Sequence, residues 1–505
     1  MNKYLVNPSK VLKYIFILAL ISAVIFIARD MSPLRGDSFT FHDMTQFARV
    51  YEHTKEIKSL NILTKYARDM NFGLGYPIFA FYAPVAYYTS SIINLLGFGV
   101  IEAVDLSFFI FWLTGSVGIY FLVKISKKNN FAAITSAILY ALSPWWASEI
   151  FVRGNLATSA FLAFAPWALW STHSYKKYPK KSLFFIFLTT LSHNALSILF
   201  IPILFVYGYL ISKIDRVARV KFLILSVLST SWFWFPAYLQ LSQTYAKEVA
   251  TMINYRDHFL CVDQIWSGLW GYGASMKGCY DGMSFMLGKL QIVTFVIGIL
   301  IALWRKKVRS QIYFELLIVT FLIFMTLPDS NGLWQAFPLI QAIQFPWRFL
   351  AMTLPFLALG SSHFFEFLSN KLHEFDKIYS FIITTKNLEY LILLMTLCAV
   401  VLGSSKFFVA QKLPKGEISN KYLSKTYISN SAAYEAPEYL PKSVDRNYWL
   451  KFRDQNIPDK DKIILKNKMD KFALNPYYQM LGILVSGLSI YFALCRHTHT
   501  KRIHS

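Results

Sequence analysis

The sequence is poor in charged residues, especially acidic ones, and poor in cysteine. Only 16% of its 505 residues are charged, against roughly 25% in soluble domains. Asp and Glu together number 28 and the chain has 4 cysteines. This shortage of charge excludes an ordinary soluble domain, because 55% of the residues are hydrophobic and the mean hydropathy is +0.40. Apolar runs of about 17–22 residues recur, long enough to cross a ~30 Å hydrocarbon core. The sequence therefore predicts an all-α, multi-pass membrane protein.

Lys and Arg are plentiful, and the formal net charge is +23. They concentrate in short loops such as 124–128, 176–181 and 213–221, whereas alternating loops carry almost none. This is the positive-inside pattern of membrane proteins, so we expect no nucleic-acid partner. The pattern predicts that both termini are cytoplasmic.

The charged loops also indicate which apolar runs cross the membrane. All the Lys- and Arg-rich loops fall on the cytoplasmic side only if residues 76–98 do not span the membrane. Pro77, Pro84 and the tyrosines of this stretch suit an interfacial or re-entrant element. Residues 333–347 have the same character. With residues 11–28 as an uncleaved first helix, about 12 transmembrane helices are expected.

These crossings predict a division of the chain into three parts. They are a membrane module over 1–405 with large outer loops at 29–102 and 240–287, a small outer α/β or irregular segment over 406–477, and a last helix with a cytoplasmic tail over 478–505.

Two of the cysteines, Cys261 and Cys279, share the outer loop 240–287. They could form a disulfide if that loop faces an oxidising compartment, or remain two free thiols. Cys398 and Cys495 lie in apolar segments and are expected to be packing residues. No zinc-type spacing accompanies the four.

The first outer loop carries Asp37, His42 and Asp43 within seven residues. Transfer of an activated sugar to a hydroxyl needs a carboxylate as general base, and a phosphate leaving group needs positive charge or a metal. The triplet could supply the base, ligands for Mg or Mn, or both; alternatively, these acids are simply solvated. The residues that follow, from Arg49 to Glu56, have helical spacing and predict a largely solvated surface helix.

Two arginines are candidate phosphate contacts. Arg153 is the single cation in the short outer loops, and a guanidinium matches phosphate oxygens well. It could instead pair with Glu149 or with an acid of the first loop. Arg348 begins a predicted helix from the outer side, where it could bind phosphate or extend to lipid headgroups.

Further polar groups lie at predicted outer turns. His193 and Asn194 form a tight hairpin turn at membrane depth, where an ionisable residue suggests function, although a helix cap is the alternative. Tyr76 and Tyr82 belong to an aromatic run that could border a lipid-linked donor or anchor the chain at the membrane surface.

Several motifs together resemble a known family. They are GDSFTFHD, GLGYPIFAFYAPVAYY, VRGN, LSHN, FPWR and AAYEAPEYLP. The set is similar to the bacterial membrane family labelled 6-pyruvoyl-tetrahydropterin synthase-related, with YfhO-like glycosyltransferases as neighbours, within the GT-C superfamily of polyprenyl-phosphate-dependent glycosyltransferases. The zinc-histidine cluster of a soluble pterin synthase is not seen.

The resemblance implies a GT-C-like bundle that uses a polyprenyl-phosphate-linked sugar donor outside the cytoplasm. The acceptor would be an envelope glycan, lipid or protein. A first-loop Asp would act as base or metal ligand, which falls on Asp37 or Asp43. Relatives often place an acid where this chain has Thr158, so a complete metal site is not implied. The rival readings are a non-catalytic scaffold or pseudoenzyme, and a transporter or flippase of an envelope precursor.

Overall fold

The computed structural model describes residues 8–305, 309–341, 343–379, 384–434, 437–452, 457–472 and 474–501. Within these ranges most residues are helical. In chain order, the first part contains α1 (Pro8–Ala28), β1 (Asp37–Phe39), α2 (Thr45–Lys58), α3 (Ile78–Phe81), α4 (Val85–Leu95), α5 (Val100–Lys127), α6 (Asn130–Ala141), α7 (Pro144–Ala147), α8 (Leu156–Ser174), α9 (Pro179–Thr190), α10 (Asn194–Leu210), α11 (Arg216–Leu228), α12 (Ser231–Leu241), α13 (Ala246–Met252) and α14 (Val262–Ser267).

The second part continues with α15 (Lys289–Trp304), α16 (Arg309–Phe324), α17 (Asn331–Ala336), α18 (Pro338–Gln341), α19 (Phe349–Tyr379), α20 (Thr385–Ser404), β2 (Lys412–Pro414), α21 (Lys415–Tyr422), α22 (Arg446–Leu450), α23 (Asp459–Met469) and α24 (Pro476–Lys501). Short 3₁₀ and π-helical turns join several of them.

The centre of the bundle is formed by close packing of α5 against α8. At Gly118 of α5 an added Cβ would lie 2.8 Å from the indole ring of Trp167. Small residues let two helix backbones approach closely in this way where no water drives association. The indole nitrogen of Trp167 then donates to the carbonyl of Thr114, 2.9 Å away. The contact holds α8, and the turn preceding it, in a fixed position.

Four helices in the described residues are long and apolar enough to cross a membrane alone. They are Pro8–Met31, Val100–Lys127, Thr385–Phe407 and Pro476–Cys495. Two helix pairs, bent by 63° and 95°, raise the count to six if each pair is one span: Arg216–Leu228 with Ser231–Leu241, and Ser310–Phe324 with Pro328–Ala336. The predicted crossings coincide with helices, but shorter ones such as α6 do not reach across alone, so the number of about 12 spans is not established.

The aromatic stretch 76–98 does not form one spanning helix. It is divided into α3, of 4 residues, and α4, of 11 residues. Eleven helical residues cover only about 16 Å, well short of a ~30 Å hydrocarbon core. The structure therefore agrees with the charge pattern, which required this stretch not to cross as a single helix.

The segment 406–477 folds onto the first outer loop. Its strand β2 pairs antiparallel with β1, with Asp37 opposite Pro414 and Phe39 opposite Lys412. The rest of its described residues form short helices and turns. The segment was expected to be α/β or irregular; the single strand that its described residues contain pairs with the first loop, so an α/β unit within the segment is not established.

The loop 240–287 contacts both of these segments. Cys261 and Cys279 are joined as a disulfide, and the Tyr272 hydroxyl donates to the carbonyl of Val409 over 2.7 Å. Of the other two cysteines, Cys398 is exposed and Cys495 is half-buried. Three outer segments that are distant in sequence therefore pack together.

Helix α2 is buried, which corrects the expectation of a solvated surface helix. Arg49, Glu52, His53 and Glu56 are each 5% exposed or less. Of these four, Glu56 forms an ion pair, with Arg68 at 2.9 Å. The spacing that predicted a helix was correct, but the C-terminal segment and α4 cover it, and nothing local in the sequence indicates that cover.

Candidate active site

The site begins where the first outer loop meets the turn between α7 and α8. The backbone amide of His42 donates to the Val152 carbonyl at 2.9 Å, and that of Asp43 to the Arg153 carbonyl at 3.1 Å. The turn itself is a π-helical segment over Ser148–Arg153 that ends at Gly154. Two main-chain bonds therefore place Asp43 beside Arg153.

Gly154 is required for this junction. Its φ is +61°, and a Cβ there would lie 2.0 Å from Cδ2 of Phe41. Left-handed backbone favours glycine, and here the contact also leaves no room for a side chain. The next residue, Asn155, caps α8 by accepting from the Thr158 amide at 2.8 Å. Its amide group also donates to Oδ2 of Asp43 at 3.3 Å, so the VRGN motif holds the carboxylate through both backbone and side chain.

Arg153 is buried and paired. Its Nη1 donates to Oε2 of Glu149 over 2.6 Å, and the two side chains are 7% and 0% exposed. Burial raises the pKa of Glu149, and the Arg153 charge opposes that shift. The other carboxylate oxygen, Oε1, is buried without a hydrogen-bond partner. The pair that the sequence left as an alternative is thus present, and it leaves one acceptor atom unsatisfied.

Arg348 lies against the same tryptophan as Arg153. The Arg153 guanidinium is 4.4 Å from the ring centre of Trp347, and that of Arg348 is 6.0 Å from it. Trp347 is fixed by a bond from its indole nitrogen to the Ser275 hydroxyl at 3.2 Å. Two guanidiniums on one ring repel each other unless an anion lies between them or nearby.

The charge of Arg348 is only partly compensated by the protein. Its Nη1 donates to the Ile343 carbonyl at 2.7 Å, and its Nε is buried without a partner. Burial, and then the neighbouring Arg153 charge, lower the pKa of Arg348 to about 10. It is therefore a cation at neutral pH. Because it is turned into the protein, it does not extend to lipid headgroups as one reading of the sequence suggested.

Asp43, Arg153 and Arg348 form a charged cluster, and two further charged residues that the sequence analysis missed belong to it. Arg49 of α2 donates to the Tyr87 hydroxyl at 3.3 Å and lies 5.6 Å from the ring centre of Tyr82. Glu438 of the C-terminal segment has its pKa raised by burial, against the nearby charges of Arg49 and Arg348. Arg49 was hidden by the helical pattern that predicted a solvated face. Glu438 lies in the AAYEAPEYLP motif, which was the one signal for it.

His193 faces the two arginines but is neutral. Its Nδ1 accepts from the Leu196 amide at 3.3 Å, capping α10. Burial, then the charges of Arg348 and Arg153, lower its pKa well below the ordinary value. Because Nδ1 accepts, the ring proton is on Nε2. His193 is both the helix cap and a neutral imidazole within the field of the site.

Tyr76 and Asn194 use their polar groups within the protein. The Tyr76 hydroxyl accepts from the Tyr439 amide at 3.0 Å. Asn194 accepts from the Ala83 amide at 2.8 Å and donates to the Phe81 carbonyl at 2.9 Å. They fasten the aromatic run to the hairpin and the C-terminal segment. Of the two predicted tyrosines, the structure brings Tyr82 to the charged cluster.

Asp37 is held apart from this cluster by its own partners. Arg35 donates to both of its oxygens, at 2.6 and 3.0 Å, and Lys412 lies 3.9 Å away. The Arg35 hydrogen bond holds the pKa of Asp37 below its usual range. His42 is exposed, with Nε2 3.0 Å from the Tyr272 carbonyl. Asp37 and His42 therefore join outer segments to each other.

The described residues do not assemble a metal site of the expected kind. Among them, no three His, Cys, Asp or Glu side chains come together as a metal-binding group. Thr158, the position at which the resemblance led us to look for an acid, has a hydroxyl that is buried without a partner. The residues present do not fit an Mg or Mn ion held by three side-chain ligands, so no chemistry is assigned to one.

Comparison with known proteins agrees with this architecture. A family model described as a 6-pyruvoyl-tetrahydropterin synthase related domain of a membrane protein matches residues 79–408. No curated protein matches the sequence. The fold is similar to that of the oligosaccharyltransferase AglB from Archaeoglobus fulgidus in complex with an inhibitory peptide and a dolichol-phosphate, with a TM-score of 0.51 and 12% identity.

The apo form of the Archaeoglobus fulgidus oligosaccharyltransferase gives a TM-score of 0.50 and 13% identity. Each match covers 80% of this chain and 57% of the solved one, so the chain spans little more than half the length of these structures. At such low identity the likeness shows the fold alone, which is of the GT-C type.

Proposed function

The chain belongs to the membrane protein family described as 6-pyruvoyl-tetrahydropterin synthase related, and from that premise we propose that it is a GT-C-type membrane glycosyltransferase. It transfers a sugar from a polyprenyl-phosphate-linked donor to an envelope glycan, lipid or protein, on the outer face of a bacterial inner membrane. The observation that carries this proposal is the placement of Asp43 beside Arg153, which shares the Trp347 ring with the partly uncompensated Arg348.

The proposed chemistry assigns the base to Asp43. Its carboxylate takes the proton from the hydroxyl or amide of the acceptor molecule. At the same time the oxygen or nitrogen of that group bonds to the anomeric carbon of the sugar. The bond from the anomeric carbon to the phosphate oxygen breaks, and its electron pair leaves with the polyprenyl phosphate. Asn155 orients the carboxylate through its 3.3 Å contact. Asp37 is not the base in this proposal, because Arg35 already engages both of its oxygens.

The arginines stabilise the leaving group. Arg348 is a cation that forms no ion pair with a carboxylate in the described part of the chain, and it lies in a site where burial strengthens each electrostatic contact. Arg153 adds a second charge, oriented by Glu149. The Nε2 proton of the neutral His193 is a further donor toward a phosphate oxygen. These three groups bind charge that develops on the phosphate as the sugar leaves.

One observation favours transport as a second candidate. Inside the bundle, His363 of α19 is 2.8 Å from Glu315 of α16 and 3.0 Å from Lys127 of α5. Buried ionisable groups of this kind occur along substrate or proton pathways. They also join three helices, which is a structural role. A flippase of an envelope precursor would use this network and would not need Asp43.

The lipids of a deletion strain test the proposal. Deletion is expected to accumulate a polyprenyl-phosphate-linked sugar, measured by mass spectrometry, and wild-type protein removes the accumulation. Asp43→Asn, expressed to the same level, fails to remove it, whereas the matched Asp37→Asn succeeds. Full complementation by Asp43→Asn would contradict catalysis and favour the scaffold reading. Accumulation confined to the cytoplasmic leaflet would favour the flippase.

A further inference from the structure

Lys65 lies at the junction of two clefts beside the candidate active site. The first cleft is lined in part by Lys65, Tyr82, Trp232 and Phe233. The second is lined by Lys65 together with residues of α12 and of the start of α24. We call the two together the Lys65 cleft. Tyr82 connects it to the charged cluster, since the same ring faces Arg49.

The ammonium group of Lys65 is surrounded by aromatic rings. Its Nζ is 5.4 Å from the ring centre of Trp232 and 5.9 Å from that of Phe233. No Asp or Glu is among the described residues that line either cleft. Burial lowers its pKa to about 8, so the amine remains mostly protonated at neutral pH. The ring faces attract the cation, but the described residues that line the clefts supply no negative charge to balance it.

Part of the wall of each cleft comes from candidate membrane spans. Trp232, Phe233 and Pro236 belong to α12, the second half of the bent pair that begins with α11. The opposite wall belongs to the beginning of α24, which packs so closely that a Cβ on Gly482 would lie 2.6 Å from the Ser231 carbonyl. On these two helices, Tyr238 and Tyr477 are 79% and 76% exposed. The second cleft therefore lies between two candidate spans, each of which carries an exposed aromatic side chain.

We propose that the Lys65 cleft binds the phosphate headgroup of an anionic membrane lipid. The phosphate oxygens accept hydrogen bonds from the Lys65 ammonium, and the apolar chain of the lipid lies along α12 and α24. A soluble anion fits less well, because a single ammonium supplies little affinity and the aromatic walls offer nothing to a hydrated ion. The proposal does not require glycosyl transfer, since it depends only on the charge, the rings and the position of the cleft between two candidate spans.

Lipid binding to the full-length protein tests the site. The protein is purified in a neutral detergent, and native mass spectrometry counts bound phosphatidylglycerol, polyprenyl phosphate or inorganic phosphate in separate titrations. Wild-type protein is expected to bind at least one of the two lipids, and Lys65→Gln to bind it about tenfold more weakly, as loss of a charge-assisted hydrogen bond implies. Lys58→Gln, at the exposed end of α2, is the matched control and is expected to bind as wild type does.

The two lipids distinguish the source of the phosphate: a phospholipid of the bilayer or a polyprenyl carrier. Equal binding by Lys65→Gln and wild type, or binding of inorganic phosphate alone, would overturn the proposal.

Amine labelling of the wild-type protein keeps the test valid if the variant fails to fold. The rate at which Lys65 is acylated is expected to rise as the pH passes about 8, and saturating lipid is expected to lower that rate several-fold. Peptide mass spectrometry reports Lys65 and Lys58 in the same sample. An unchanged Lys65 rate in the presence of lipid would refute the site, whatever the outcome for Asp43.

Discussion

Asp37 and Asp43 belong to the same outer loop, yet their surroundings give them different roles. Asp37 lies on a strand, bound by Arg35 and close to Lys412 of the partner strand. Asp43 lies six residues later, beside the Arg153 carbonyl and Asn155, facing the arginines on Trp347. The difference shows that a carboxylate whose counter-ions come from its own structural neighbourhood fastens the fold. One placed beside a cation that the protein compensates only partly, as Arg348 is, is available for a ligand.

The largest expected effect is a difference in turnover between variants of the two carboxylates. Asp43→Asn removes the proposed base and is expected to lower turnover about 10²–10⁴-fold. Asp37→Asn is expected to change turnover less than about threefold, since the strand pairing of its backbone remains. The measurement is release of sugar from a polyprenyl-phosphate donor by purified protein. Equal losses in the two variants would remove the distinction between the halves of the loop.

The second comparison is between Arg153 and Arg35, each of which forms an ion pair with an acidic residue. Arg153→Gln leaves Glu149 buried without its ion pair, and removing one partner of a buried pair costs about 3–5 kcal/mol. Arg35→Gln acts on a pair whose side chains are about a third exposed, so the expected cost is within ~1 kcal/mol. Thermal unfolding in detergent reports both. Adding Glu149→Gln to Arg153→Gln should recover part of the loss; no recovery would mean that the cost is not electrostatic.

Gly154 of the junction and Gly36 of the first outer loop provide the third comparison. Gly154→Ala combines a left-handed residue with a Cβ 2.0 Å from Phe41, and about 2–4 kcal/mol of destabilisation is expected. Gly36→Ala, just before β1, meets nothing within 4 Å and should stay within ~0.5 kcal/mol. Unfolding temperatures decide this, and a tolerated Gly154→Ala would show that the contact with Phe41 relaxes easily.

The smallest expected effect is a pH response of opposite sign in two carboxylates. Burial raises the pKa of Glu52 to about 7 in the folded chain, against 4.5 ordinarily. The unfolded chain therefore releases this proton first, and Glu52 reduces stability progressively between about pH 4.5 and 7. Asp37 has a lowered pKa, so its contribution is present above its ordinary pKa and is lost as pH falls.

Glu52→Gln tests this response. It should be more stable than wild type at neutral pH, by on the order of 1–2 kcal/mol, and equal to it below about pH 4.5. Unfolding temperatures recorded from pH 4 to 8 measure the difference. A constant difference at every pH would assign the effect to packing rather than to charge.

Much of the helical framework could be predicted because it depends on local properties of the chain. Apolar runs and loop charges predicted the helices and the break at 76–98, and pairing of Arg153 with Glu149 was one of the two roles considered for that arginine. Helix α2 was misread because helical spacing records which residues share a face, and not what covers that face. Arg49 was therefore predicted to be solvated, although it is only 5% exposed and contacts Tyr82 and Tyr87.

By itself, the sequence determined that this is a helical membrane protein, and which acids, arginines and tyrosines lie in the segments between its long apolar runs. Hydropathy and charge act residue by residue, so a linear reading captures them. Only the tertiary structure decided that Asp43 rather than Asp37 faces Arg153 and Arg348, and that Glu438 joins them. A charge acts over a few ångströms in low dielectric, so its role depends on neighbours that the fold brings from hundreds of residues away.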